Sequence, residues 1–259
     1  PRWGFPQPAW RWPAYDAGSA AAQPVERLRM LARNAVVALW LTAAALGAAA
    51  IGEGWRFVLV LLSRNGALPR GVVAFSDALV VTAGVVSMLS AAASITVGVL
   101  WVVYARWMVA KATGHIPART TRQVVLGLIA PMLNVVLAGS VLAELEHSAG
   151  GRSAADRPRP SRLLLGWWAS WVVGQALFGI ALLNSFDGSV QGMANGIELH
   201  LFADLVAVVV AVTGAILVNR ITTLLEPIDA DAMHRLRVVK VINAPEPQLR
   251  PVRPLGSLR

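Results

Sequence analysis

Long apolar runs separated by short polar or basic stretches make up most of the chain. The first run starts near Glu26 and passes through AVVALWLTAAALGAAAIGEGWRFVLVLL to about Leu62, with Gly66 of the following SRNG as a stop. About 20 apolar residues suffice to span a bilayer as a helix, so the pattern predicts a crossing helix over 27–63. A second run predicts a helix over 72–112. At ~1.5 Å per residue roughly 40 helical residues measure ~60 Å, twice the hydrocarbon thickness, so this helix must protrude, tilt strongly or break. The third run, RQVVLGLIAPMLNVVLAGSVLAELEHSAG, is interrupted by Pro131 and Asn134, which predicts a helical hairpin over 120–147. The connector GGRSAADRPRPSR is the clearest loop. Ser161 then caps a fourth run, giving a helix over 161–185. After a polar FDGSVQGMANG loop, a fifth run predicts a helix over 197–225.

Both ends differ in character. Residues 1–26 interleave Trp3, Trp10 and Trp12 with Arg2, Arg11 and several prolines, too broken for a helix and suited to an arm lying in the headgroup zone. A disordered tail with incidental aromatics is the plainer alternative. Residues 226–259 form a basic, proline-rich tail in which RLRVVKVI is the only stretch that could make a short strand. The chain starts at Pro1 and not at Met, so an upstream stretch is expected.

Composition sharpens the picture. Hydrophobic residues are 56% of the chain and charged residues 14%, against about 25% charged in a soluble domain. This is the composition of a membrane protein. The 23 Lys+Arg against 14 Asp+Glu leave a net charge of +9. Nucleic acid is not the expected partner, because the basic residues lie between apolar segments, where topology signals and contacts to anionic lipids belong. The Arg-rich, Lys-poor usage points to a bacterium. The absence of cysteine excludes disulfides, thiol nucleophiles and Cys-ligated metal.

Charge also chooses the topology. If all five runs crossed, the 187–198 loop, which has no Lys or Arg, would share a side with the basic amino arm, contrary to the positive-inside rule. If the third run enters and returns, all but Arg56, Arg64 and Arg70 of the 23 Lys+Arg face the cytoplasm. The expected fold is therefore an all-α, multi-pass integral protein of the bacterial inner (plasma) membrane. It has four transmembrane helices, both termini cytoplasmic, and a re-entrant or interfacial hairpin at Pro131/Asn134. Such a hairpin must be shielded by protein or water, since freed backbone groups cannot be left in lipid.

Polar residues within the runs are the candidates for chemistry. Glu53 and Arg56 share one helical face and can neutralise each other, or serve a proton or ion. Glu198, His200 and Asp204 open the last helix, with His200 and Asp204 one turn apart. Capping and bundle packing is the plain reading, and a proton or cation role the sharper one. Asn134, Gln175, Asn184 and Asn219 suit interhelical hydrogen bonds. Trp167, Trp168 and Trp171 beside Arg162 form an interfacial belt or a lipid-headgroup or sterol contact. Small residues recur every four positions in Ala44, Ala48 and Gly52, in Ala83, Ser87 and Ala91, and in Ala207, Ala211 and Ala215. These rows predict packing seams, or faces for a partner. No two of His115, His147, His200 and His234 have zinc-ligand spacing, and no phosphate-binding glycine loop or hydrolase elbow is present, so no metal, cofactor or enzymatic activity is expected.

The APMLNVV turn with its following ELE, the basic proline-containing connector, the GWWASW helix start and the SFDGSVQGMANG loop together resemble an actinobacterial membrane family known as domain of unknown function 4328, over roughly residues 27–225. The resemblance implies a helical membrane domain and no established activity. Members often carry a cysteine-paired, zinc-ribbon-like segment upstream, which is not seen here. The expected function is a non-enzymatic accessory or stabilising subunit of a larger envelope membrane complex, for example a lipid transporter of the mammalian-cell-entry type or a respiratory assembly. Its partners would be other membrane subunits and anionic lipids. A small-solute or ion transporter or channel, using Asn134 with His200 and Asp204, is the alternative. A membrane-bound regulator with a lipid-binding tail is a third reading.

Overall fold

A computed structural model describes residues 15–114, 118–151 and 159–226, with side chains from Gln23 onward. Trp3, Trp10, Trp12 and the basic tail, including RLRVVKVI, lie outside the described residues. Among the described residues the chain is entirely helical, with α1 (Tyr15–Ser63), α2 (Arg70–Thr113), α3 (Thr121–Ile129), α4 (Leu133–Ala149), α5 (Arg162–Asn184) and α6 (Val190–Leu225). Four of these, α1 from Gln23, α2, α5 and α6, are long and apolar enough to cross a membrane. The 23 residues of α5 make ~35 Å, close to the hydrocarbon thickness, whereas the unbroken 44 residues of α2 make ~66 Å and extend well beyond it.

Two helix starts differ from the sequence expectation. Helix α1 begins at Tyr15, inside the segment expected to be a non-helical arm, because only Pro24 of the arm's prolines falls within it. Proline there forfeits a single backbone donor, and the Tyr104 hydroxyl donates to the Pro24 carbonyl at 3.1 Å. Helix α6 begins at Val190 and not at 197, so most of the expected loop is helix. Ser189 caps it by accepting from the Gly192 N–H at 2.9 Å, and Asp187 accepts from the Ser189 N–H at 3.0 Å. Those Ser189 hydrogen bonds, backbone first, hold the Asp187 carboxyl below the usual carboxylate range. A Cβ at Gly192 would lie 2.6 Å from Asp187, so this tight turn requires glycine.

The connections gather one end of every helix. Arg29 of α1 pairs with Glu226 at the end of α6 (2.8 Å), and Arg220 of α6 lies 3.5 Å from Glu146 of α4. The Ser161 N–H, just before α5, donates to Glu146 at 3.1 Å. This basic end holds the start of α1, the ends of α2, α4 and α6, and the starts of α3 and α5. The core lies there too: Leu28, Ala35, Trp101, Val124, Val141, Leu164 and Ile221 are all essentially solvent-free. Trp101 also donates to the Thr222 hydroxyl at 3.1 Å, and the buried Thr42 and Ser94 hydroxyls bond at 2.8 Å. Such bonds and close packing, not the hydrophobic effect, join helices in lipid.

The third run is a helix–turn–helix. Thr120 and Gln123 form a reciprocal capping box that starts α3, and Pro131 ends it by removing a donor. Gly127 of α3 sits against Leu137 of α4, where a Cβ would approach to 3.0 Å. Trp168 of α5 fastens the pair to the bundle, donating to the Val135 carbonyl at 2.7 Å with its indole over Gly139.

The small-residue rows fare unequally as internal seams. Ala83 and Ser87 are buried and Ala91 half-buried; Ala211 and Ala215 are buried and Ala207 half-buried. Gly52 meets Val80 of α2. Ala44 and Ala48 face outward, however, and Thr42, Ala43, Ala49 and Ala50 take the inner face of α1.

A Cβ at Gly139 would lie 2.6 Å from the Trp168 ring, whereas one at Gly166 would meet nothing within 4 Å. Gly139→Ala is therefore expected to displace the indole and cost about 1–3 kcal/mol despite its gain in helix propensity, seen as a lowered melting temperature in detergent. Gly166→Ala, the matched control, is neutral or stabilising.

Candidate functional site

Sequence separation hides the most polar place among the apolar helices. Packing α1 between α2 and α6 brings Glu53 and Arg56, Asp77, and the His200–Asp204 pair into one cluster. The Arg56 guanidinium donates to Asp77 at 2.8 Å, and its other nitrogen lies 3.7 Å from Glu53. Asp77 is mostly exposed, Arg56 partly so, and Glu53 is buried with its Oε2 atom lacking a hydrogen-bond partner. His200 acts electrostatically on both Glu53 and Asp204, and Glu53 acts on Asp204. Glu198 lies on the exposed side of α6.

Chemically, the cluster combines a shielded carboxylate, a half-buried one and an exposed one with an imidazole and one guanidinium. Such a set can hold and exchange a proton or balance a cation. Among the described residues no three His, Cys, Asp or Glu side chains lie close enough to hold a metal ion.

Asn134 does not join this cluster. It is buried in the first turn of α4 with its Oδ1 unpartnered, at the level where Trp168 meets Val135. Trp167 at that level faces Gly214 of α6, ten residues beyond Asp204 and so ~15 Å further along the helix. Trp167 and Trp171 stack with ring centroids 5.9 Å apart and turn toward the bundle, and Arg162 is exposed at the first turn of α5. Trp167 and Trp171 are thus half-buried against the bundle, and the exposed Trp168 clamps the hairpin.

A second ionic network at the basic end was not foreseen. Arg106, with only 9% of its side chain exposed, pairs with Glu144 at 2.9 Å and donates to the Arg119 carbonyl at 3.1 Å. Arg119 takes the other Glu144 oxygen at 2.9 Å. The signal was present as a lone arginine within an apolar run and an acidic ELE within another. Only packing shows that they meet.

The family model described as "Domain of unknown function (DUF4328)" matches residues 64–223. The chain belongs to this family. The matched DUF4328 segment covers α2 to α6 and leaves α1 outside, a narrower span than the resemblance implied. No curated protein and no solved structure matches the chain.

Removing Arg56 strands the buried Glu53, while removing Asp77 leaves a partly exposed Arg56 that still has Glu53 beside it. Arg56→Gln is expected to destabilise by on the order of 2 kcal/mol or more, against less than ~1 kcal/mol for Asp77→Asn. Adding Glu53→Gln to Arg56→Gln should restore most of the loss, as read from detergent melting curves of the four proteins.

Proposed function

We propose that the chain is a non-enzymatic accessory or stabilising subunit of a larger bacterial envelope membrane complex, seated in the inner membrane with its basic end and both termini in the cytoplasm. The observation that carries this reading is the tip of the α3–α4 hairpin. Met132 has φ 66° and ψ −46°, a strained backbone for a non-glycine residue, and the Leu133 N–H bonds back to the Pro131 carbonyl at 2.8 Å. This strained turn is capped by Met132 at 83% exposure and Leu133 at 53%. Both feet of the hairpin stand at the basic end, which supports the reading of a re-entrant element whose tip enters the bilayer. Irregular backbone at that depth requires a protein cover, and the described residues leave the tip open. Another subunit supplies the cover in this reading.

A photo-crosslinking amino acid at Met132 of the full chain, activated in native membranes, tests it. A discrete adduct with a different polypeptide is expected. Adducts with lipid alone, or with a second copy alone, would sink the subunit reading.

The polar cluster favours a second reading, a small-solute or ion transporter that couples transport to protonation of the Glu53, His200 and Asp204 set. Asp204→Asn would then abolish pH-gradient-driven flux in proteoliposomes. Wild-type flux in that variant would retire the reading.

A further inference from the structure

A cavity among the described residues lies at the basic end, against the start of α3 and away from the polar cluster. It has a volume of about 720 Å³ and is bounded by the start of α1, the last turns of α2 and the start of α3. That size lies within the range of sites for small organic ligands, roughly 300–1,000 Å³. Arg27, Arg106 and Arg119 are its charged lining, and no carboxylate among the described residues lines it. The single Glu144 behind Arg106 and Arg119 is shared between them, so the three guanidinium groups carry an uncompensated positive charge.

These arginines are held in place before any ligand arrives. Arg106 is nine-tenths buried and tied at both Glu144 and the Arg119 carbonyl. Arg119 is locked by the same carboxylate. Arg27 lies over the Tyr104 ring, 5.3 Å from its centroid, and forms no ion pair among the described residues. Guanidinium groups positioned in this way match the oxygens of a phosphate, with charge-assisted bonds in fork geometry.

The rest of the cavity is apolar. Leu31, Leu100, Val103 and Val124 form the wall, and Leu100 and Trp107 continue it onto the outward face of α2, where they are 53% and 47% exposed. Tyr104 and Trp107, with rings 5.4 Å apart, mark the boundary between the charged and apolar parts. A ligand that fits therefore has an anionic phosphate at one end and a hydrocarbon portion leaving sideways along α2.

We propose that this cavity is a binding site for the phosphate headgroup of an anionic membrane phospholipid, with Arg27, Arg106 and Arg119 as the headgroup ligands and the apolar wall guiding an acyl chain. The site depends on the chain lying in a membrane and is independent of whether it serves as a subunit or a transporter. Bound lipid joins α1, α2 and the hairpin at one point and so stabilises the folded chain by mass action.

The test uses the purified full chain in mild detergent, with its melting temperature followed as lipid is added. Phosphatidylglycerol is expected to raise it saturably, and phosphatidylcholine with the same acyl chains is not. Arg27→Gln, which changes an exposed residue outside the Glu144 network, is expected to weaken the apparent affinity for phosphatidylglycerol about five- to tenfold. Arg70→Gln at the opposite end controls for general charge and should behave as wild type. Equal affinity in Arg27→Gln and wild type, an equal loss in Arg70→Gln, or no stabilisation by phosphatidylglycerol would overturn the proposal. Glycerol 3-phosphate binding as tightly as the lipid would overturn the lipid assignment, by showing that the phosphate is recognised without its chain.

Discussion

Two carboxylates on α4, Glu144 and Glu146, tie together most of the separate elements of the basic end. Glu144 bridges Arg106 of α2 and Arg119 before α3, while Glu146 accepts from the Ser161 backbone before α5 and faces Arg220 of α6. Lipid gives apolar helices no reason to prefer one another over its own tails. Charges buried away from water have every reason to stay paired, because a lost partner leaves an uncompensated ion at a cost of several kcal/mol. The hairpin is thus held by its second helix, with the core of Leu28, Trp101, Val141 and Ile221 filled in around that ionic centre.

The same anchoring shapes both proposed binding surfaces. Because Glu144 engages Arg106 and Arg119 from behind, their remaining donors are presented toward the cavity beside Tyr104 and Trp107. Because the hairpin is fixed at its feet and clamped by Trp168 at Val135, its tip is left exposed by the described residues, with a strained Met132. A rigid base with an exposed apolar tip is the arrangement a docking element needs, since little ordering cost remains to be met on binding.

At the other end the constraint is reversed. Glu53 is buried with one oxygen lacking a partner, so the α1–α2–α6 contact there is held under an unresolved electrostatic demand that Arg56, His200 and Asp204 share. Such a site costs stability compared with apolar packing.

Local pattern was enough to place the apolar runs, the break at Pro131 and the alternation of basic connectors, because span length, proline's missing donor and the charge of short loops are properties of contiguous residues. It was also enough to single out Glu53, Arg56, His200 and Asp204 as unusual. Pattern misjudged the starts of α1 and α6, where Pro24 is absorbed by a helix and Ser189 caps an early turn. It also set the row Ala44–Ala48 on an inner face that Ala43, Ala49 and Ala50 occupy. A helix that is apolar all round carries no mark of which side faces its neighbours. Tertiary packing alone decided that azimuth, and with it the meeting of Glu53 with His200 and Asp204, the burial of Arg106 against Glu144, and the docking of Trp168 on α4, since each depends on how helices distant in sequence fit side by side.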